Sequence, residues 1–273
     1  MDVNTDWSAL WADLVSIHER ANSPEGGADP WEGRARKLAE RVRQKWAQPD
    51  PIRDFLTARI GPTDTVLDIG AGTGNWAVPL ARVARRVTAL EPSPAMRAAL
   101  RETLDREGVT NVDVVDGYWP EMEIEPHDVT LCSHSMYGVT DLATFVGRMV
   151  DVSRRSCYLL MRAPTADGVM AEAARRVLGH PHDSPNFFVA FNILAERGVR
   201  PNVLFDPNLW EPWTSRTIEA ALVELKSRLG IAGSVEYDDH LLDLLGQRLV
   251  PTADGYDWPR GVQSVLAYWD ATR

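Results

Sequence analysis

The chain has 273 residues, fewer than two average domains at roughly 150 residues each. Hydrophobic residues make up 44% and charged residues 25%, which excludes a disordered chain and supplies enough apolar surface for a large core. Lys and Arg number 29 against 39 Asp and Glu, and the net charge of -10 disfavours a nucleic-acid partner, which draws on a basic face.

In chain order, residues 1–60 read as helical and polar. Leu38, Ala39, Val42 and Trp46 recur at helical spacing within Ala35–Trp46. The stretch from Asn22 to Asp29, with Pro24, Gly26 and Gly27, reads as a loop before that helix. A short helix is predicted over Ile52–Arg59, and Gly61-Pro62-Thr63-Asp64 is a turn. The texture then changes to alternating strands and helices. Strands are predicted at Thr65–Ile69, Arg86–Leu90, Val112–Val115, Asp128–Cys132 and Ser156–Met161. A helix over Asn75–Ala84 contains Pro79. A second helix starts with Ser93 as N-cap and Pro94 at its first position and ends at Gly108. Strands separated by helices of this length predict a parallel sheet covered on both faces. Beyond Pro164, helices are predicted at Val169–Leu178, Asn186–Arg197, Arg216–Leu229 and Asp239–Leu249, with strands at Asn202–Asp206 and Val262–Trp269.

Cys132 and Cys157 are too few for a disulfide framework and lie in apolar stretches, so both are expected as buried free thiols. Met1–Asp6 has neither a basic region nor an apolar one of the secretory type, and no apolar run approaches the ~20 residues of a membrane span. The expectation is a cytoplasmic protein with no membrane partner.

The sharpest feature is Val66-Leu67-Asp68-Ile69-Gly70-Ala71-Gly72-Thr73-Gly74-Asn75. It follows a strand and opens a helix. Glycines there let the backbone turn sharply and let a ligand approach without a Cβ in the way. A dinucleotide fingerprint, Gly-x-Gly-x-x-Gly, would set its third glycine at Asn75, one residue later than Gly74. Asp68 would repel a pyrophosphate and can receive a cationic amino group. Both features weigh against a nicotinamide-dependent oxidoreductase.

This segment resembles class I methyltransferases that use S-adenosylmethionine (SAM). Their first motif, acidic-x-Gly-x-Gly-x-Gly, is matched by Asp68, Gly70, Gly72 and Gly74. The resemblance implies that Glu91, at the end of the second strand, binds both ribose hydroxyls, a task suited to a carboxylate. Pro92 follows it, and Met96 packs on adenine. The resemblance also implies that Asp116 accepts the adenine amino group, with Gly117 and Tyr118 flanking the ring. The resemblance further implies that the segment from Ser133 to Tyr137, after the fourth strand, is where the pocket floor meets the substrate, with Ser133 and His134 at the cofactor and Met136 at the substrate. Ala71 and Asn75 complete the cofactor loop. The implied fold is α/β: a seven-stranded, mostly parallel Rossmann-like sheet with its last strand antiparallel, Asn202–Asp206 sixth and Val262–Trp269 seventh. Residues 1–60 are then an N-terminal helical lid, 61–165 the SAM-binding core, and 166–273 the completion of the sheet with helical cap insertions. The product of the cofactor is S-adenosylhomocysteine.

His134, with Tyr137 beside it, is the candidate general base, because neutral imidazole accepts protons near pH 7. Eight of the ten tryptophans lie outside residues 60–165, so the lid and insertion are expected over the substrate. Trp31 and Arg34 are placed to approach the methionine end of the cofactor. Phe187 belongs to a helix face packed on the core or the substrate cleft. His180-Pro181-His182-Asp183 could ligate a metal, but no second cluster accompanies it, and a polar loop is preferred. The reading is methyl transfer to a small molecule by a monomer or homodimer, with no metal. The competing readings are a methyltransferase of RNA or protein, the oxidoreductase, and a non-catalytic SAM-binding protein.

Overall fold

Five short apolar runs form the parallel part of one sheet: β1 (Thr65–Ile69), β2 (Arg86–Leu90), β3 (Val112–Val115), β4 (His127–Ser133) and β5 (Ser153–Pro164). The structure, a computed structural model, describes residues 5–22, 29–165 and 168–271. Met1–Asn4 and most of the Asn22–Asp29 stretch therefore lie outside the described residues. Two later strands, β6 (Asn202–Leu209) and β10 (Val262–Asp270), complete a seven-stranded sheet in the order β3-β2-β1-β4-β5-β10-β6. β10 runs antiparallel to both β5 and β6. The expected sixth and seventh strands are thus in place, each longer than its apolar run implied.

Helices cover both faces, so the central strands are apolar throughout rather than alternating. One face buries Trp11 and Leu14 of α1 (Trp7–Asn22), Phe145 and Val146 of α6 (Leu142–Asp151) and Ile193 of α8 (Phe187–Glu196). The other buries Ile52 and Leu56 of α3 (Pro51–Thr57), Leu80 of α4 (Ala77–Ala81) and Leu100 of α5 (Pro94–Glu107). Ser93 caps α5 as expected, its hydroxyl accepting from Met96 N, and Gly108 ends that helix in the left-handed conformation. α2 (Ala35–Trp46) lies against α5 and adds the Arg36–Glu102, Arg43–Glu107 and Arg106–Glu40 ion pairs.

Two expectations need correction. The helix predicted over Asn75–Ala84 is only Ala77–Ala81, because Gly74 sits at φ 97° and keeps the preceding turn out of helical geometry. Pro79 therefore falls in the first turn, where a backbone donor has no helical partner to lose. The insertion before β10 is not purely helical. Flanking α9 (Ile218–Arg228) and α10 (Asp238–Arg248) in the chain, three short strands pair in the order β7 (Thr214–Ser215), β9 (Gly255–Asp257) and β8 (Val250–Thr252). Strands of two or three residues are too short for alternation to register. This cap has its own core, where Leu225, Leu241, Leu245 and Trp258 meet Val169 and Ala173 of α7 (Val169–Leu178).

Candidate functional site

The strand order reverses beside β1: β2 and β3 lie to one side, β4 and β5 to the other. Crevices at such a switch point, outside the carboxyl ends of the strands, are where open α/β sheets bind ligands. The glycine loop lies there. After β1 the chain folds back over β2, with Gly70 N and Ala71 N both donating to Leu90 O, at 2.8 and 3.1 Å. Gly70 stands at φ 70°, and a Cβ on it would lie 2.3 Å from Ser135 Cβ. Gly72, at φ 57°, meets nothing within 4 Å at the same position, so the space over it is open.

Glu91 follows β2 and is 6% exposed. Its Oε2 accepts from Gly72 N at 2.8 Å and its Oε1 from Ser93 N at 2.9 Å. Two backbone amides thus fix the carboxylate, and each oxygen keeps a lone pair for a hydroxyl donor. Burial raises its pKa, which those amides and nearby Arg97 oppose. Asp68 is 1% exposed, and its Oδ2 has no partner among the described residues. Burial first, and the charge of Glu91 second, push its pKa up to about 7. A positive charge brought beside Asp68 would relieve both penalties. The loop, the half-satisfied Glu91 and the orphaned Asp68 therefore fit a ligand that carries adjacent hydroxyls and a cationic group, as SAM does.

Asp116 lies just after β3, at the position the sequence indicates. Its carboxylate pairs with Arg97, at 2.7 Å from Oδ1 to Nη1 and 2.8 Å from Oδ2 to Nη2, and is 68% exposed. Arg97 is buried and also donates to Glu91 O and Pro92 O. It therefore links the Asp116 carboxylate to the backbone of Glu91 and Pro92. Met96 is buried with Ala35 and Ala99, while Tyr118 is 70% exposed. Gly117 leaves no room for a side chain: a Cβ there would touch Met122. Asn75 O accepts from Trp46 Nε1, which ties the end of α2 to the glycine loop.

The end of β4 is bound to the same loop. Ser135 Oγ donates to Ile69 O at 2.9 Å, and Trp76 Nε1 donates to Ser133 Oγ at 2.9 Å. His134 adopts φ 55°, a left-handed conformation unusual for a residue with a Cβ. Tyr137 Oη accepts from Arg162 N at 2.7 Å and lies 2.9 Å from His134 Nδ1. If the phenol donates to Nδ1, the ring proton lies on Nε2, which faces Ser264 Oγ at 3.5 Å. Burial, with Arg162 and Lys45 adding repulsion, pushes the His134 pKa down to about 4. Burial likewise pushes the Cys132 thiol up to about 12, which leaves no thiolate here. Trp210, after β6, meets the His134 ring edge-on at 5.5 Å.

Four further candidates remain. Met136 and Phe187 are buried in the core on the face of α1 and α6. Trp31 is 41% exposed and Arg34 is exposed at the start of α2. Among the described residues no cluster of His, Cys, Asp and Glu is arranged to hold a metal, and His180 Nδ1 instead accepts from His182 N. Four residues at the site escaped sequence reasoning. Asp29, Arg97 and Arg162 act across gaps of 19 to 66 residues or through backbone atoms. Ser184 carries no motif. Asp29 accepts from Ser93 Oγ at 2.7 Å and Ala95 N at 3.1 Å, latching the segment before α2 onto the start of α5.

Comparison with known proteins agrees with this geometry. Residues 66–156 match the family model described as a methyltransferase domain. A Methanosarcina acetivorans protein named "Probable ribosomal RNA small subunit methyltransferase A" is 34% identical over 93 residues, 34% of each chain. Protein-L-isoaspartate O-methyltransferase 1 of Polaromonas sp. is 44% identical over 74 residues, 26% of this chain and 30% of that one. The chain thus spans about a third of the length of these curated relatives. Among solved structures, geranyl diphosphate C-methyltransferase from Streptomyces coelicolor, in complex with Mg2+, geranyl diphosphate and S-adenosylhomocysteine, superposes with a TM-score of 0.51. That alignment has 13% identity and covers 100% of both chains. The YcgJ protein of Bacillus subtilis superposes with a TM-score of 0.52 at 14% identity, over 79% of this chain and 97% of that one. At such identities the shared property is the fold.

Proposed function

We propose, for a chain that carries a class I SAM-dependent methyltransferase domain, that it transfers a methyl group to a small-molecule acceptor held between the glycine loop and the inserted cap. The observation that carries the reading is Glu91, buried and fixed by the Gly72 and Ser93 amides with lone pairs to spare.

When bound, SAM supplies a methyl group already activated on a sulfonium. The chain's task is then to bind, orient and exclude water. Glu91 receives the ribose hydroxyls, the open backbone at Gly72 allows close approach, and Asp68 favours positive charge nearby. With Tyr137 donating to Nδ1 and the ring proton on Nε2, His134 at rest orients rather than abstracts. Tyr137, locked to Arg162 N, fixes the ring plane. An acceptor that must lose a proton would need His134 to release Tyr137 first.

A small acceptor is supported by the acidic chain and by tryptophan-lined space beside His134. The two relatives quoted above for ribosomal RNA and protein isoaspartate align over 34% and 26% of this chain. The test uses SAM with a labelled methyl group, incubated with purified protein and cell extract divided into metabolites, RNA and protein. Label in metabolites is the expected outcome. Label in RNA or protein overturns the acceptor class, and loss of labelling in Glu91→Ala ties the transfer to this site.

A further inference from the structure

Two cavities open between the carboxyl edge of the sheet and the inserted cap, and they share one wall. That wall is Arg162, Asp183 and Ser184. One cavity runs past Met170, Trp210, Trp213 and Trp258. Trp210 also touches His134, so this cavity adjoins the end of β4.

The wall holds two polar groups that the fold does not use. Arg162 donates from Nε to Pro185 O at 2.9 Å, while its Nη2 is buried with no partner among the described residues. Ser184 is 5% exposed, and its Oγ is likewise buried and unpartnered. A guanidinium cannot shed its proton to escape this penalty. Leaving such donors unmet is costly, and natural interiors seldom tolerate it without a reason. Here both donors belong to residues of one cavity wall, next to the end of β4.

We propose that this wall anchors a carboxylate on the methyl acceptor, whose apolar or aromatic body lies along Trp210, Trp213 and Met170; this rests on the reading of the chain as a small-molecule methyltransferase. A carboxylate offers one oxygen to Arg162 Nη2 and another to Ser184 Oγ, a charge-assisted pairing. The wall also selects the charge. Asp183, 7% exposed, brings a negative charge to the same surface. At the mouth Arg260 is paired with Glu211 at 3.0 Å and adds no uncompensated positive charge. One guanidinium beside one carboxylate suits a monoanion and disfavours a phosphate dianion. The flat indole faces suit a planar body.

The experiment titrates the full chain with indole-3-propionate, indole-3-propionamide and phenyl phosphate, by saturation-transfer NMR. SAM affinity is measured on the same samples by calorimetry. The carboxylate is expected to bind at least about tenfold more tightly than its amide, the size of a charged hydrogen bond. Arg162→Gln is expected to remove that preference, and Ser184→Ala to weaken it several-fold. Because Arg162 also supports Tyr137 and Pro185, Ser184→Ala decides the matter if Arg162→Gln fails to fold. Equal binding of carboxylate and amide, or no saturation by the carboxylate at any soluble concentration, overturns the inference while SAM binding stands. Tighter binding of phenyl phosphate overturns the choice of a monoanion. Carboxylate preference without SAM binding keeps the anchor and overturns the methyltransferase reading beneath it.

Discussion

Glu91 and His134 sit at the ends of adjacent parts of the sheet and respond to burial in opposite ways. Glu91 gains fixed donors from the backbone, so its contribution shows in binding. Glu91→Ala is expected to weaken SAM binding by about an order of magnitude or more, through lost hydrogen bonds to a buried hydroxyl pair. Equal affinity by calorimetry would remove Glu91 from the ribose site. His134 loses solvation on burial, has no anionic acceptor for a charged ring among the described residues and feels Arg162 and Lys45, so its pKa falls to about 4. The rate of methyl transfer is then expected to show no inflection near pH 6.5 from this residue. His134→Gln is expected to lower turnover more than SAM affinity. A rate limb near pH 6.5 that vanishes in His134→Gln would mean that the ring is solvated or paired with an acid during turnover. Folding is linked to the same residue with a definite sign. The folded pKa lies below the unfolded one, so its stabilising effect is present above pH 6.5 and is lost as pH falls toward 4.

The loop between β1 and α4 depends on glycine for different reasons at different positions, and the consequences separate. Gly70→Ala meets both a left-handed φ and Ser135, whose hydroxyl ties β4 to β1. It is expected to cost several kcal/mol, from about 1 kcal/mol of backbone strain plus a clash inside a packed turn. Gly72→Ala carries the backbone strain alone, and it is expected to damage SAM affinity more than thermal stability, because its Cβ enters the open space over the loop. Denaturant titration beside calorimetry checks the ranking. These glycines, and Glu91 after them, were legible because a tight turn and a dense motif confine the choice of residue. Asp116 was read for its place after β3, yet its partner Arg97 reaches it from another element, and no local pattern encodes that. The cap strands were hidden because so few residues cannot declare an alternation. Trp31, Arg34, Met136 and Phe187 stand out in the sequence by position or size, properties that core packing and exposed surface share with binding sites.

At the scale of the whole molecule, the buried Asp68 sets a tension between cofactor affinity and stability. Its folded pKa, about 7, lies above its unfolded value. The proton is therefore held better by the folded protein, and this stabilisation is complete below about pH 4 and lost as pH rises through 7. A shift of this size is worth on the order of 4 kcal/mol. Without SAM, Asp68→Asn is expected to melt at a higher temperature than the parent at pH 8, with the gain vanishing at pH 4. A lower melting temperature at pH 8 would mean that Asp68 already has a cationic partner in the free protein. The same sheet carries a burden of a different kind at its far edge. β6 is bonded only to β10, and Val203, Phe205 and Leu209 along it are each at least 36% exposed even when paired. Residues 210–261 intervene before that partner arrives. On the ribosome, therefore, β6 emerges with an unpaired apolar edge and waits for an entire subdomain to be translated. Such an edge invites pairing with other nascent chains. Chains released after Gly261 should accumulate as insoluble or chaperone-bound material, although nearly all of the cofactor site has already been made.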